Sequence, residues 1–149
     1  MKCILKYHEF EAVMEISDAE LDKLSETRRF IFAAQPHGVM SVVGICYAVY
    51  YAPKRIPPTA VASVLLKVPI LKHVFGTFHL VDASRRSLTK VLKRDSVVVY
   101  VGGIAELFLS SATEERLYAA RKGFVKLALQ TGSDVIPLFF FGNTTALEV

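Results

Sequence analysis

The sequence has few cysteines and no tryptophan. Its two cysteines, Cys3 and Cys46, lie far apart among apolar neighbours, which excludes a disulfide framework and a Cys-x-x-Cys zinc or redox site. A chain without these covalent supports depends on its hydrophobic core, and its 149 residues are enough to bury one. We therefore expect one ordinary domain in a reducing, cytosol-facing compartment.

Long uninterrupted apolar runs are also missing. Region 30–53 comes closest, but Gln35-Pro36-His37-Gly38 divides it and leaves residues 39–52, fewer than the ~20 that a membrane-spanning helix needs. We expect a buried or interfacial helix there. The N-terminal residues lead to Glu9 and Glu11 rather than to an apolar stretch with a cleavage site, so we expect no secretory signal.

Charged residues are scarce, at 21% of the chain against 52% hydrophobic residues, which is atypical of disordered proteins. The net charge of +4 is compatible with nucleic acid, anionic lipid or a phosphorylated co-substrate. Most phenylalanines lie inside apolar runs such as 137–141, so we expect no nucleic-acid partner. Because His73 and His79 have no ligands at zinc spacing nearby, we expect no metal site.

Strand-like and helix-like patterns alternate along the chain. Residues 1–28 are predicted to form an N-terminal polar helical segment, and residues 29–149 a core domain. The predicted strands are 30–34, 59–63, 79–82, 96–101 and 134–141, and the predicted helices are 17–29, 38–51, 65–75, 84–94 and 117–129. This alternation predicts an α/β sandwich with a largely parallel sheet flanked by helices, and with functional sites at the strand ends.

His37 lies in the turn between an apolar strand and an apolar helix, where a side chain can project from a rigid scaffold. Backbone N–H groups at a helix start disfavour positive charge, so the imidazole is expected to stay neutral and able to accept a proton. A catalytic base fits this position. A histidine that only bonds a neighbouring carbonyl fits it equally well.

A second turn follows the predicted strand 96–101 and contains Gly102, Gly103 and Glu106. Glycines allow a ligand to approach the backbone closely, and backbone N–H groups there could hold an oxyanion. Glu106 lies in an apolar stretch, where burying it without a partner would be costly. An ordinary turn with a paired carboxylate explains the same pattern, and without other context it is the simpler interpretation.

Basic residues cluster on two predicted helices, around Arg85 and around Arg121 and Lys122. Such clusters are usually solvated faces, unless they converge on a phosphate-bearing ligand. Gly123 follows within a helical pattern, where glycine costs about 1 kcal/mol relative to alanine, which suggests close packing at that position.

Four blocks taken in order resemble one family. They are Gln35-Pro36-His37-Gly38, Val101-Gly102-Gly103-Ile104-Ala105-Glu106, Arg121-Lys122-Gly123-Phe124-Val125-Lys126-Leu127-Ala128 and Phe141-Gly142-Asn143. The family is that of the type 2 diacylglycerol acyltransferases, which also contains monoacylglycerol and wax-ester acyltransferases. The likeness covers about residues 29 to 143, and the second and third blocks are long and specific.

The resemblance implies an enzyme that moves a fatty acyl group from acyl-coenzyme A, as co-substrate, to a lipid hydroxyl, most often that of diacylglycerol. It implies no other cofactor, a cytosol-facing place on the endoplasmic reticulum membrane or lipid droplets, and similarity to the glycerol-phosphate acyltransferase fold. His37 takes the catalytic role, with Glu106 as its expected partner. The expected substrate-binding residues are Pro36, Gly38, Arg85, Gly102, Gly103, Arg121, Lys122, Gly123 and Phe124.

The sequence departs from the family pattern in two ways. Gln35 stands where the family block usually begins with a further histidine, and family members are considerably longer than this chain. A partial or shortened member, incomplete at both ends, is therefore expected. Two alternatives stay open: an inactive relative that binds lipid membranes, and an acyltransferase for monoacylglycerol, a fatty alcohol or a lysophospholipid.

Overall fold

A computed structural model describes residues 2–38, 41–51, 56–68, 79–109, 111 and 113–144. Within these ranges the chain forms helices and strands in alternation. The helices are Lys2–Tyr7 (α1), Asp18–Thr27 (α2), Val42–Tyr51 (α3), Ser63–Lys67 (α4), Arg85–Val91 (α5), Ile104–Leu107 (α6) and Gly123–Thr131 (α7). The strands are Phe30–Gln35 (β1), Thr59–Val61 (β2), Leu80–Asp82 (β3), Val97–Tyr100 (β4) and Asp134–Phe139 (β5).

The five strands form one sheet in the order β3-β2-β4-β1-β5. Every pairing is parallel; Ile31 is opposite both Val97 and Val135 in the register of β1 with its two neighbours. The predicted α/β class is confirmed, and the sheet is parallel throughout rather than largely so. Because parallel strands end at the same edge, the turns after β4, β1 and β5 lie side by side.

Hydrophobic side chains cover both faces of the sheet, as parallel sheets require. On one face, Ile31 and Val97 pack with residues of α5 and α7, including Leu88 and Leu127. On the other face, a second cluster consists of Phe30, Phe32, Ala34, Val98 and Phe140, with partly buried residues of α2 and α3 against it. Ile31 lies on one face and its neighbours Phe30 and Phe32 lie on the other, because side chains alternate between the two faces along a strand.

Local capping explains where two of the predicted helices begin. The Ser17 hydroxyl accepts a hydrogen bond from the N–H of Glu20 at the start of α2, and Ser84 does the same for Ser87 at the start of α5. Gly132 ends α7 in the left-handed conformation, at φ 65°. Serine is typical of helix N-caps and glycine of helix C-caps, so these residue types account for the observed helix ends.

Three sequence predictions need correction. The helix expected over 117–129 begins at Gly123, so Ala120 lies outside it. The strand expected to be buried over 134–141 is β5, an edge strand with largely exposed residues and with Pro137 in its middle. The helix expected from residue 38 is α3, which begins only at Val42. Residues 69–75 of the predicted helix 65–75 lie outside the described residues. Among the helices of the described part of the chain, none has the length and hydrophobicity of a membrane span.

Candidate active site

The turns that follow β1, β4 and β5 meet at the carboxyl edge of the sheet. The turn after β1 contains the cis peptide bond Gln35–Pro36 and then His37. Its neighbours contribute Glu106, from the turn after β4, and Asn143, from the turn after β5. The adjacency of the three strands therefore brings together residues that are far apart in the sequence.

The His37 ring is half-buried, and one of its nitrogens has a fixed partner. Nδ1 lies 2.7 Å from the carbonyl oxygen of Gly38. Because a carbonyl oxygen only accepts hydrogen bonds, Nδ1 carries the proton in the neutral ring, and Nε2 holds the lone pair. The carbonyl contact that the sequence left as an alternative to a catalytic role is thus present, and in this tautomer the lone pair is on Nε2.

Tyr100, at the end of β4, packs against the His37 ring, with 4.8 Å between ring centroids. Its hydroxyl forms a 2.6 Å hydrogen bond with the Ser41 hydroxyl. Burial raises the pKa of Tyr100, so this phenol stays neutral at physiological pH. Neither Tyr100 nor Ser41 was predicted, because nothing in their local sequence pattern separates them from ordinary strand and loop residues.

Glu106 is a deeply buried carboxylate, with 1% of its surface exposed. Oε2 accepts a 2.7 Å hydrogen bond from the main-chain N–H of His37, and Oε1 accepts a 3.0 Å bond from the N–H of Tyr118. Glu106 and His37 are therefore in contact. This hydrogen bond is made by the main chain of His37 and not by its ring. It therefore fixes the position of the turn and not the orientation of the imidazole.

The two glycines after β4 are required for different reasons. A Cβ on Gly102 would lie 2.0 Å from Cδ of Glu106, so only glycine leaves space for the carboxylate. Gly103 has φ 53°, and a Cβ there would lie 3.0 Å from a guanidinium nitrogen of Arg121. The double-glycine turn thus accommodates the buried acid on one side and a cation on the other.

The expected substrate-binding residues divide into two groups. Pro36 and Gly38 flank His37, and Arg121 lies against Gly103, so these residues belong to the same edge of the sheet. Arg85 donates to the side chain of Gln130 instead, and no described contact joins it to His37.

The residues that follow Arg121 surround the beginning of α7. Lys122 precedes the helix, Gly123 opens it, and Phe124 is half-buried. Among the described residues, a Cβ on Gly123 would meet nothing within 4 Å, so this part of the structure does not show the close packing expected there.

Asn143 is a further site residue, quoted in the sequence analysis only as part of a motif. Its Nδ2 donates to the carbonyl oxygens of Pro36 and His37, at 2.8 and 2.7 Å. Its Oδ1 accepts a 3.1 Å hydrogen bond from the N–H of Val43, in the first turn of α3. One N–H group at the start of α3, where the backbone was expected to face the His37 ring, therefore bonds Asn143 instead.

An apolar cavity of about 480 Å³ lies next to this site, between segment 8–16, α3 and β5. Its lining includes Phe10, Met14, Cys46, Tyr47, Leu138 and Phe140. Phe140 packs on Tyr100, with 6.1 Å between ring centroids, and Tyr100 packs on His37. In the described part of the chain, the packed rings of Phe140 and Tyr100 thus connect the cavity lining to His37.

Fold and site together define a parallel α/β protein with a candidate general base at the carboxyl edge of its sheet. The chain matches the diacylglycerol acyltransferase family over residues 3–148. It therefore belongs to that family, and the resemblance found in the sequence is confirmed.

Individual relatives include enzymes named for different acceptors. The chain is 31% identical to diacylglycerol O-acyltransferase 2 of Dictyostelium discoideum, over 78% of this chain and 38% of the relative. It is 32% identical to human 2-acylglycerol O-acyltransferase 3, over 81% and 39%. It is 31% identical to mouse acyl-CoA wax alcohol acyltransferase 1, over 84% and 42%. The chain thus spans about two fifths of the length of these relatives, and no solved structure matches it significantly.

Proposed function

We propose that this chain carries an O-acyl-transfer centre that moves a fatty acyl group from acyl-coenzyme A to a lipid hydroxyl, with diacylglycerol as the acceptor and triacylglycerol as the product. The observation that carries this proposal is the hydrogen bond from Nδ1 of His37 to Gly38, which leaves Nε2 as the acceptor nitrogen of a half-exposed ring. Membership of the family supplies the reaction class.

In the proposed mechanism, Nε2 of His37 takes the proton of the lipid hydroxyl as that oxygen attacks the thioester carbonyl. The tetrahedral intermediate then expels the thiolate of coenzyme A, and the thiolate takes the proton back from the imidazolium. General-base assistance of this kind contributes about 10²- to 10⁴-fold. No acyl-enzyme and no cofactor beyond the acyl-coenzyme A co-substrate take part.

The oxyanion of the intermediate would be stabilised by backbone N–H groups near Gly38 and Gly103. Both residues have positive φ, 62° and 53°, in turns next to His37, and donors held by a rigid turn need no reorganisation during the reaction. Glu106 supports this geometry by holding the His37 N–H.

The acyl chain and the coenzyme A part of the donor substrate would lie on different sides of the histidine. The cavity of about 480 Å³ is lined mainly by apolar and aromatic residues, which suits a fatty acyl chain. Arg121, against the double-glycine turn, and the adjacent Lys122 are exposed cations suited to the phosphates of coenzyme A. Arg85 is a weaker candidate because its guanidinium already bonds Gln130.

A membrane surface is the proposed location of the reaction, on the cytosolic side of the endoplasmic reticulum and on lipid droplets. Phe108 follows the turn after β4 and Phe141 follows β5, and both rings are largely exposed at the carboxyl edge of the sheet. Aromatic rings in this position are suited to the interface of a lipid layer, from which a water-insoluble acceptor would arrive.

Relatives named for 2-acylglycerol and wax alcohol are as similar to the chain as those named for diacylglycerol, so both acceptors are alternatives to diacylglycerol. The shape of the pocket decides such differences, and a lysophospholipid is a further candidate. An inactive relative that binds lipid membranes is the competing interpretation.

One assay separates these possibilities. The chain is expressed in membranes that lack neutral-lipid synthesis and is supplied with labelled acyl-coenzyme A and a panel of acceptors. We expect label in triacylglycerol, its loss in His37→Ala, and its retention in the control His79→Asn, because His79 is exposed and asparagine tolerates its positive φ. Label in another product would reassign the acceptor, and no product with any acceptor would favour the inactive relative.

A further inference from the structure

Asn143 is fully buried, and its carboxamide makes two hydrogen bonds to the turn after β1 and one to the first turn of α3. Nδ2 donates to the carbonyl oxygens of Pro36 and His37, and Oδ1 accepts from the N–H of Val43. An amide supplies two donors and an acceptor in one plane, which this set of two carbonyls and one N–H requires. A carboxylate of the same shape could accept from Val43 but could not donate to either carbonyl.

These contacts hold the main chain of His37 from the side opposite to Glu106. The N–H of His37 donates to Glu106, from the turn after β4, while its carbonyl oxygen accepts from Asn143, from the turn after β5. The segments that follow the two strands adjacent to β1 therefore each supply one side chain that fixes the same residue. The second donor bond of Asn143, to Pro36, fixes the residue before it.

The contact extends to the residue that orients the imidazole. Gly38 has φ 62°, and a Cβ there would lie 2.4 Å from the main-chain carbonyl oxygen of Asn143, so the two backbones are in close contact. The carbonyl oxygen of Gly38 is the partner of Nδ1 of His37. The tautomer of the ring thus depends on a peptide whose place is set by Asn143.

We propose that Asn143 is a positioning residue for acyl transfer: it fixes the His37 turn so that the Gly38 carbonyl holds Nδ1 and leaves Nε2 toward the substrate. The inference rests on the proposed function in so far as His37 is the base. Its structural part, the control of the His37 tautomer by Asn143, can be tested without turnover.

The kinetic test compares Asn143→Asp with a matched neighbour. Thr144 is also fully buried, but its hydroxyl bonds Glu115, so Thr144→Val perturbs the same loop without touching the turn. We expect Asn143→Asp to lower kcat by about 10²-fold, as small displacements of catalytic groups do. KM for acyl-coenzyme A should change little, and Thr144→Val should keep the parental kcat.

The second test uses the ¹⁵N resonances of the histidine side chains in the detergent-solubilised chain, with the His37 signals identified by their loss in His37→Gln. We expect the parent and Thr144→Val to show the Nδ1-protonated tautomer, and Asn143→Asp to show a mixture. Asn143→Ser keeps one donor and is the milder variant should Asn143→Asp not fold. It should give an intermediate spectrum and an intermediate kcat.

The outcomes separate the two proposals. If the parent is inactive while Asn143→Ser changes the His37 tautomer and Thr144→Val does not, the positioning role holds and the proposed function fails. An unchanged His37 tautomer in a folded Asn143→Ser would overturn the positioning role. An equal fall of kcat in Thr144→Val would overturn it as well, since it would show a general loss of structure.

Discussion

Glu106 illustrates how much one buried carboxylate can organise at the residue scale. Both of its oxygens accept main-chain hydrogen bonds, from His37 and from Tyr118, across separate turns. A carboxylate that is this deeply buried needs such partners, because desolvation of the charge would otherwise dominate. Its position therefore depends on the two N–H groups, and the geometry of the site depends on it in return.

The first prediction concerns Glu106→Gln, which replaces one acceptor oxygen by an NH₂ group. One N–H of His37 or Tyr118 then faces a donor, and we expect a loss of about 1–3 kcal/mol in the free energy of unfolding, with lower acyl-transfer activity. Denaturant titration and the acyl-transfer assay measure the two effects.

Glu115→Gln is the control for that prediction. Glu115 also accepts from two groups, the N–H of Gly142 and the hydroxyl of the buried Thr144, but the Glu115 side chain itself is exposed and stays hydrated. Glu115→Gln should lower the free energy of unfolding by less than Glu106→Gln does. Equal losses in both variants would show that the burial of Glu106 is not what makes it important.

The second prediction compares Gly102 and Gly123, which belong to two of the four sequence blocks that resemble the family. Gly102→Ala places a methyl group 2.0 Å from Cδ of Glu106 and should displace that side chain, with a loss of about 1–3 kcal/mol from overpacking. Gly123→Ala meets nothing within 4 Å among the described residues and should be neutral or stabilising by about 0.5 kcal/mol. Thermal unfolding of both variants checks the difference, and a stable Gly102→Ala would contradict the close contact.

Single residues could be predicted from the sequence only where a local pattern marks them. His37 stands out because it occupies a polar turn between apolar segments, and Glu106 because it interrupts an apolar stretch. Tyr100 and Asn143 give no such signal. Their contacts with the His37 turn depend on β4 and β5 being the two neighbours of β1, which is a property of the sheet order.

At the scale of elements, α7 shows both the strength and the limit of sequence periodicity. Leu127 and Ala128 are buried, as expected for one face of an amphipathic helix, and Gly132 ends the helix. The start was predicted six residues too early, because the N–H of Tyr118 is bound by Glu106, a contact distant in sequence that no helical period reveals.

The third prediction follows from that face. Leu127 is 4% exposed and Leu129 is 82% exposed, two residues further along the same helix. We expect Leu127→Ala to cost about 2–5 kcal/mol, since it removes core contacts and leaves a cavity. Leu129→Ala should stay within about 0.5 kcal/mol of the parent. Urea denaturation of the pair measures the difference, and similar losses would argue against the burial of this face.

At the scale of the whole molecule, three tyrosines on one side of the sheet link the stability of the fold to alkaline pH. Burial raises the pKa of Tyr47 and of Tyr100, and burial together with Asp18 raises the pKa of Tyr51 to about 12. The folded state therefore retains these protons at a pH where an unfolded tyrosine, with a pKa near 10, loses them.

The fourth prediction is the resulting pH dependence. The stabilisation from these groups is complete below about pH 10 and is lost as the pH rises toward 12, because only the unfolded state then releases its protons. Tyr51→Phe should make the fall less steep, whereas Tyr7→Phe, at an exposed position, should leave it unchanged. Denaturant midpoints measured across this range test it, and identical slopes in Tyr51→Phe and the parent would refute it.

Pro137 in β5 affects whether another polypeptide can pair with this edge of the sheet. The N–H groups of Asp134 and Phe140 point toward β1, where they bond Arg29 and Gln35, so the nitrogen of Pro137 points away from the sheet. Another polypeptide that tried to extend the sheet beside β5 would meet a missing donor halfway along the strand. Pro137 therefore disfavours edge-to-edge aggregation through β5, and the hydrogen bonds between β5 and β1 are not reduced.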